Sequence, residues 1–254
     1  MKINIDMPIP RNNKISNFQK HFIKSSGPLD AGFALVEMTI TLIIIGLIVS
    51  CVIIKGPGLI EMARLNKDYS QVNEIKIAVS RFQDQFNALP GDYSEAKANI
   101  DNSLIDGNQN GLIEGDGLDP KSKAGQFWAH LSAKDLISNA GSVKTNGTDM
   151  SKSEMNFGSG APSAKIGGGF TVQSNPTEDM PGLWLVLGAK NGTKGDGALL
   201  TPSQAKQLAD KIDSSNPPTG DVRALSGSGK QCLTDQRTFN TSLKEAACVL
   251  YFKL

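Results

Sequence analysis

From Gly32 to Ile54 the chain reads GFALVEMTITLIIIGLIVSCVII, an apolar run with one acid, Glu37, near its head and no Lys, Arg or His within it. The 22 residues from Phe33 to Ile54 form a helix of roughly 30 Å at about 1.5 Å per residue, matching the hydrocarbon thickness of a bilayer. An ionised carboxylate in hydrocarbon costs several kcal/mol, so an acid kept there needs a function and a partner. Cutting the chain after Gly32 would make one, because Phe33 would then carry a free ammonium four residues from Glu37. That pair can meet within one helical turn, or between two chains staggered along a bundle.

Gly32, Phe33, Ala34, Leu35, Val36 and Glu37 read as G-F-x-L-x-E, which resembles the cleavage and methylation site of type IV prepilins and type II secretion pseudopilins. The motif combines a small residue at the cut, Phe after it, an acid at the fifth mature position and an apolar span in one place. The resemblance implies that a prepilin peptidase cuts after Gly32 and methylates the new N-terminal Phe33, and that Glu37 serves assembly. It implies a filament subunit of the bacterial inner membrane, single-pass with an exported C-terminal domain, which then enters a periplasmic pseudopilus or an extracellular pilus. The partners it implies are other pilin or pseudopilin subunits, the peptidase, the inner-membrane assembly machinery and membrane lipid.

Charge agrees with that topology. Of 26 basic and 25 acidic residues, Lys2, Arg11, Lys14, Lys20 and Lys24 stand against Asp6 and Asp30 in residues 1–32, leaving 21 basic and 23 acidic beyond. Positive charge ahead of the span holds the leader in the cytoplasm. The near-neutral total argues against specific nucleic-acid binding. An ordinary signal peptide or signal anchor is the competing reading, but signal peptidase cuts after the apolar run, and here the small residue precedes it. Within the leader, Ile15, Phe18 and Phe22 can line one face of a short basic helix, with an unstructured tail as the alternative.

Beyond the span, Lys55-Gly56-Pro57-Gly58 predicts a kink or a locally melted turn. Leu65, Tyr69, Val72, Ile75, Val79, Phe82, Phe86 and Leu89 follow at spacings of three and four, an apolar stripe on one helical face that Pro90-Gly91 stops. Phe127 to Leu131 begins a second helical pattern, continued by Leu136 and Ile137 to Gly141. Residues 141–165, rich in Gly, Ser, Asn and Lys, read as an exposed loop. Strands are expected at Gly169–Gln173, Leu183–Leu187, Val222–Leu225 and Cys248–Leu254, and a helix from the cap Thr201-Pro202-Ser203-Gln204 through Ile212. Asn87 to Tyr93, Phe127 to Leu131 and the run from Leu199 to Ala224 also resemble the prepilin-like group. The expectation is an α+β, pilin-like fold in which a long N-terminal helix, transmembrane in its first half and amphipathic in its second, packs on a small antiparallel sheet. Its parts are a leader (1–32, removed), a transmembrane and filament-core helix (33–60) and an exported globular domain (61–254).

Cys232 and Cys248 fall in the exported part, where an oxidising compartment permits a disulfide, with two free thiols as the alternative. In pilins a late disulfide typically bounds a surface loop, and this pair matches in position. Cys51, in the apolar span, reads as a small packing residue. Asp106-Gly107-Asn108-Gln109-Asn110-Gly111-Leu112-Ile113-Glu114 fits the opening D-x-N-x-N-G of an EF-hand-type loop, so Asp106, Asn108, Asn110, the Leu112 carbonyl and Glu114 are candidate calcium ligands. The twelfth position of that loop is Gly117 where a bidentate Glu belongs, and a solvated turn is the competing reading. No cofactor is required, and Ca²⁺ is the one candidate.

The two histidines, His21 and His130, cannot build a two-histidine metal site once the leader is removed, and His130 reads as a packing or surface residue. Gly227-Ser228-Gly229-Lys230 resembles the end of a phosphate loop but lacks its first Gly and its last Ser or Thr, and no G-x-S-x-G occurs. The chain therefore reads as a non-enzymatic filament subunit. The rivals are a non-polymerising single-span protein displaying a calcium-stabilised binding domain, and an anchored exported enzyme, which the missing catalytic groups disfavour.

Overall fold

A computed structural model describes residues 28–138, 155–213, 220–235 and 237–254, with side chains described except at 28–34 and 51–57. The leader before Pro28, including the Ile15, Phe18 and Phe22 face, lies outside the described residues. Two compact units, Met1–Pro57 and Gly58–Leu254, divide the chain.

Helix α1 runs from Pro28 to Phe86. Of the kink or melted turn predicted at Lys55-Gly56-Pro57-Gly58, the melted turn is not found, since the backbone stays helical there. A proline removes one main-chain hydrogen bond and leaves those of the flanking turns in place, so the turn need not melt. In the first unit, the side chains of Leu35 to Ser50 are all exposed. Among the described residues no helix is long and apolar enough to cross a membrane. The stretch Phe33 to Ile54 extends at both ends into residues whose side chains lie outside the description.

In the second unit the expected stripe is the buried face of α1. Leu65, Val72, Ile75, Val79 and Phe82 join the main core, with Tyr69, Phe86 and Leu89 packed against it. Burying one such side chain contributes roughly 1.5–3 kcal/mol, so the stripe is ample to hold α1 on the domain. The helix stops where Asn87 turns left-handed, φ 48°, ahead of Pro90. After the short α2 (Ala96–Asn99), α3 (Lys123–Ala133) starts at the cap Ser122, whose hydroxyl accepts from Gly125 N. The sequence carries this helix on to Gly141, but it ends at Ala133. Asp135 is left-handed at φ 54°, Leu136 N donates to Leu131 O at 3.0 Å, and Asp135 N donates to Ser132 O at 3.0 Å. These are the two bonds of a Schellman stop, which spends Leu136 on closing the helix.

Two short strands follow, β1 (Asn156–Phe157) and β2 (Gly160–Ala161), paired in parallel. The expectation of an exposed loop over 141–165 fails in its described part, because Met155, Ala161 and Ala164 are buried. Polar groups on α1 hold this segment inward. Asp68, fully buried, accepts from Lys165 N at 2.6 Å and Ile166 N at 3.0 Å, and Gln71 Nε2 donates to Ser163 O at 3.2 Å. A composition-based reading sees the Gly and Ser but not these distant anchors. Residues 139–154 lie outside the description.

The sheet contains β3 (Gly169–Ser174), β4 (Leu183–Asn191), β5 (Lys194–Gly197), β6 (Val222–Ser226) and β9 (Cys248–Lys253). Its order is β3-β4-β9-β6, antiparallel throughout, with β5 paired to the end of β4. A small hairpin, β7 (Leu233–Thr234) with β8 (Thr238–Phe239), lies between β6 and β9 in sequence. Helix α4 (Pro202–Ile212) has the expected capping box, Thr201 and Gln204 each bonding the other's backbone. One sheet face supplies Phe170, Val172, Leu185, Leu187, Leu250 and Phe252 to the core shared with α1, α3 and α4. On the other, Met180, Trp184, Val186, Val249 and Tyr251 form a second buried cluster. The fold is α+β: helices packed on an antiparallel sheet.

Candidate functional site

Gly32 and Phe33 lie in the opening turns of α1, where the backbone is helical. Glu37 follows on the same helix with its side chain exposed, and it makes no hydrogen bond or ion pair among the described residues. The other polar groups along this stretch are satisfied locally. Thr39 Oγ1 donates to Val36 O at 2.8 Å, Thr41 Oγ1 to Met38 O at 2.9 Å, and Ser50 Oγ to Leu47 O at 2.8 Å. These bonds let a hydroxyl sit in apolar surroundings without a water partner. Around them the large apolar side chains from Leu35 to Val49 are 49–68 % exposed. Exposed apolar side chains thus stand at successive positions along this stretch.

The other candidate site lies where the turn after α1 meets α3. Gly91, with φ 79°, packs so closely on the α3 backbone that an added Cβ would come within 2.3 Å of Lys123 O. Its N–H donates at 2.9 Å to Nδ1 of His130, whose Nε2–H donates to Ile105 O at 3.1 Å. His130 is thus a fully buried peg joining the turn, α3 and the loop before Asp106. The next residue, Asp92, receives the loop: Gln109 N donates to its carbonyl at 2.9 Å, and Gly111 N to its Oδ2 at 2.7 Å.

Of the candidate calcium ligands, Asp106 is spent elsewhere, its Oδ1 accepting from Lys97 N at 2.7 Å to cap α2. Asn108, Asn110, the Leu112 carbonyl and Glu114 do converge, and what they surround is the ammonium of Lys123. Asp92 completes that ring. Neither Asp92 nor Lys123 is legible as a site residue in the sequence, because one precedes the loop and the other follows it, each on a different element. Among the described residues no group of three or more His, Cys, Asp or Glu is placed to hold a metal. Gly227-Ser228-Gly229-Lys230 forms a turn closed by Lys230 N to Gly227 O, and Lys230 pairs with Glu245.

Cys232 and Cys248 form a disulfide, both fully buried in the main core. Cys51 lies among the residues whose side chains are outside the description.

No family model, curated protein or solved structure matches this chain. Its site must therefore be judged on its own geometry and chemistry.

Burial lowers the pKa of His130 from 6.5 to about 4, against the opposing pull of the Ile105 carbonyl and the Asp106 charge. The neutral ring is the form that accepts from Gly91, so protonation removes that bond as well. A histidine depressed in the folded state contributes stability that is full above the unfolded pKa and is lost as pH falls from 6.5 toward 4. The expected loss between pH 7 and pH 4.5 is about 2 kcal/mol. His130→Gln, which keeps one donor and one acceptor, should flatten that part of the profile in urea unfolding. Parallel profiles for the two proteins would contradict this.

Proposed function

We propose that the chain is a structural subunit of a type IV pilus or type II secretion pseudopilus, made as a precursor, cleaved after Gly32 and N-methylated at Phe33. The observation that carries this reading is the stretch Leu35 to Ser50 of α1, rich in exposed apolar side chains, whose one carboxylate, Glu37, lacks a partner among the described residues. A helix of this kind is covered first by lipid and then by copies of itself. On this reading residues 33–60 anchor the precursor in the inner membrane and later form the filament core, and residues 61–254 are the exported, pilin-like domain. The amine of Phe33 docks beside Glu37 of a neighbouring subunit, neutralising two charges in a low-dielectric bundle and favouring one axial stagger. An α+β domain carried on the second half of the same helix, and closed by a disulfide, supports the reading.

The experiment is to shear filaments from cells making the chain and to blot the sheared fraction beside the membrane fraction. Recovery in the sheared fraction supports the proposal. Recovery from membranes alone, under conditions in which the host assembles filaments, favours the non-polymerising anchored protein.

A further inference from the structure

The Lys123 ammonium stands in a shell built for more than an ammonium. Its Nζ lies 2.5 Å from Asn108 Oδ1, 2.7 Å from Asn110 Oδ1, 2.9 Å from Asp92 Oδ1, 3.0 Å from Leu112 O and 3.3 Å from Glu114 Oε2. An ammonium has three N–H donors, so it cannot hydrogen-bond five oxygens at once. Two carboxylates, two side-chain amide oxygens and one main-chain carbonyl are instead the donor set of a hard divalent cation, which takes six to eight oxygens at about 2.3–2.6 Å and fills its shell with water.

Asp92 adds a deeply buried carboxylate from outside the loop. It is 1 % exposed, and while its Oδ2 is held by Gly111 N, its Oδ1 has no hydrogen-bond partner. The ammonium beside Oδ1 makes an ion contact without the alignment of a hydrogen bond. A carboxylate buried this deeply needs a compensating charge at that oxygen, which the Lys123 ammonium supplies in this structure. The loop's backbone is shaped for convergence. Gln109 and Gly111 are left-handed, φ 54° and 79°, and Asn108 and Asn110 also accept from the main-chain N–H two residues on, which fixes both amides. One positive charge against two carboxylates leaves the shell at −1, whereas a divalent cation would bring it to neutrality.

We propose that Asp92, Asn108, Asn110, the Leu112 carbonyl and Glu114 form a calcium-class cation site for which the chain's own Lys123 competes. The ammonium fills the shell when metal is scarce, and Ca²⁺ enters by displacing it to solvent. The Lys123 side chain is 15 % exposed, so it reaches the shell from the surface and has a way out. Asp106, which heads the sequence motif, is not a ligand, and Asp92 takes its place. This inference does not depend on the filament reading.

The test is calcium titration of the full chain in detergent, by calorimetry and by thermal unfolding, with magnesium as the comparison. Lys123→Met should bind Ca²⁺ at least tenfold more tightly than wild type, and adding Asp92→Asn to that variant should abolish the gain. Equal affinity in wild type and Lys123→Met, no calcium response in either, or an undiminished response with Asp92→Asn would overturn the proposal. If Lys123→Met fails to fold, Lys123→Gln serves in its place. Amine labelling of wild type provides a further check. Without calcium, Lys123 should label at least tenfold more slowly than the exposed Lys121, and equal rates would remove the ammonium from the shell and the proposal with it.

Discussion

Glu37→Leu should be inserted, cleaved and disulfide-bonded like the wild-type chain, yet be strongly depleted in sheared filaments. The carboxylate lies on an apolar stretch well before Leu65, the first core residue on α1 among the described residues, so its loss should not lower the stability of the second unit. What it removes is the charge that a neighbouring Phe33 amine is proposed to meet. The variant leaves the Phe33 amine without its partner near the end of the span, where the cost is below the roughly 3 kcal/mol of a helix centre, and about half of that at each docking step lowers incorporation roughly tenfold. Glu37→Gln keeps size and hydrogen bonding without the charge and should fall between the two. Co-expression with wild type, followed by shearing and blotting, reads the difference directly. Normal incorporation of Glu37→Leu would rule out the charge pair, and loss of the variant from membranes would make Glu37 a stability residue.

Replacing both Cys232 and Cys248 by Ala should lower the stability of the second unit by about 3 kcal/mol, the chain-entropy value for a loop of this size. Cys248 opens β9, which is paired on both sides, while Cys232 precedes the small β7–β8 hairpin. Their bond closes a separation of 16 residues and fastens that hairpin to the core. Its other ties to the core are Leu233 and Phe239, which pack against it, and Cys232 N, which donates to Ser226 Oγ at 3.1 Å. Guanidinium unfolding with and without reductant checks the estimate. Wild type in reductant should unfold at the same lower midpoint as the double variant, and an unchanged midpoint in either would show that the hairpin is held without the bond.

Features written in local periodicity were legible in the sequence. The stripe from Leu65 to Phe82, four of the five sheet strands and the capping box at Thr201 each depend on neighbours within a few residues. The fifth strand was within reach, since Asn191-Gly192 is a hairpin signal, and β4 runs on through Leu187 to that turn before β5 returns. What sequence reading missed depends on contacts across long separations. Asp68 binds a segment almost a hundred residues away, which turns a Gly- and Ser-rich stretch into buried structure. Asp92 and Lys123 reach the 106–114 loop from opposite sides, so the loop's own motif supplies only some of the converging oxygens, while Asp106 turns to Lys97 N. His130 was read as packing or surface, and only its two hydrogen-bond partners reveal it as the peg of that region.

The most direct measurement of the filament reading is the intact mass and N-terminal fragmentation of the chain recovered from the sheared fraction. A subunit that begins at N-methylated Phe33, lighter than the precursor by residues 1–32, is the predicted result. An assembled chain that keeps its leader, or one that begins well beyond Phe33, would contradict it.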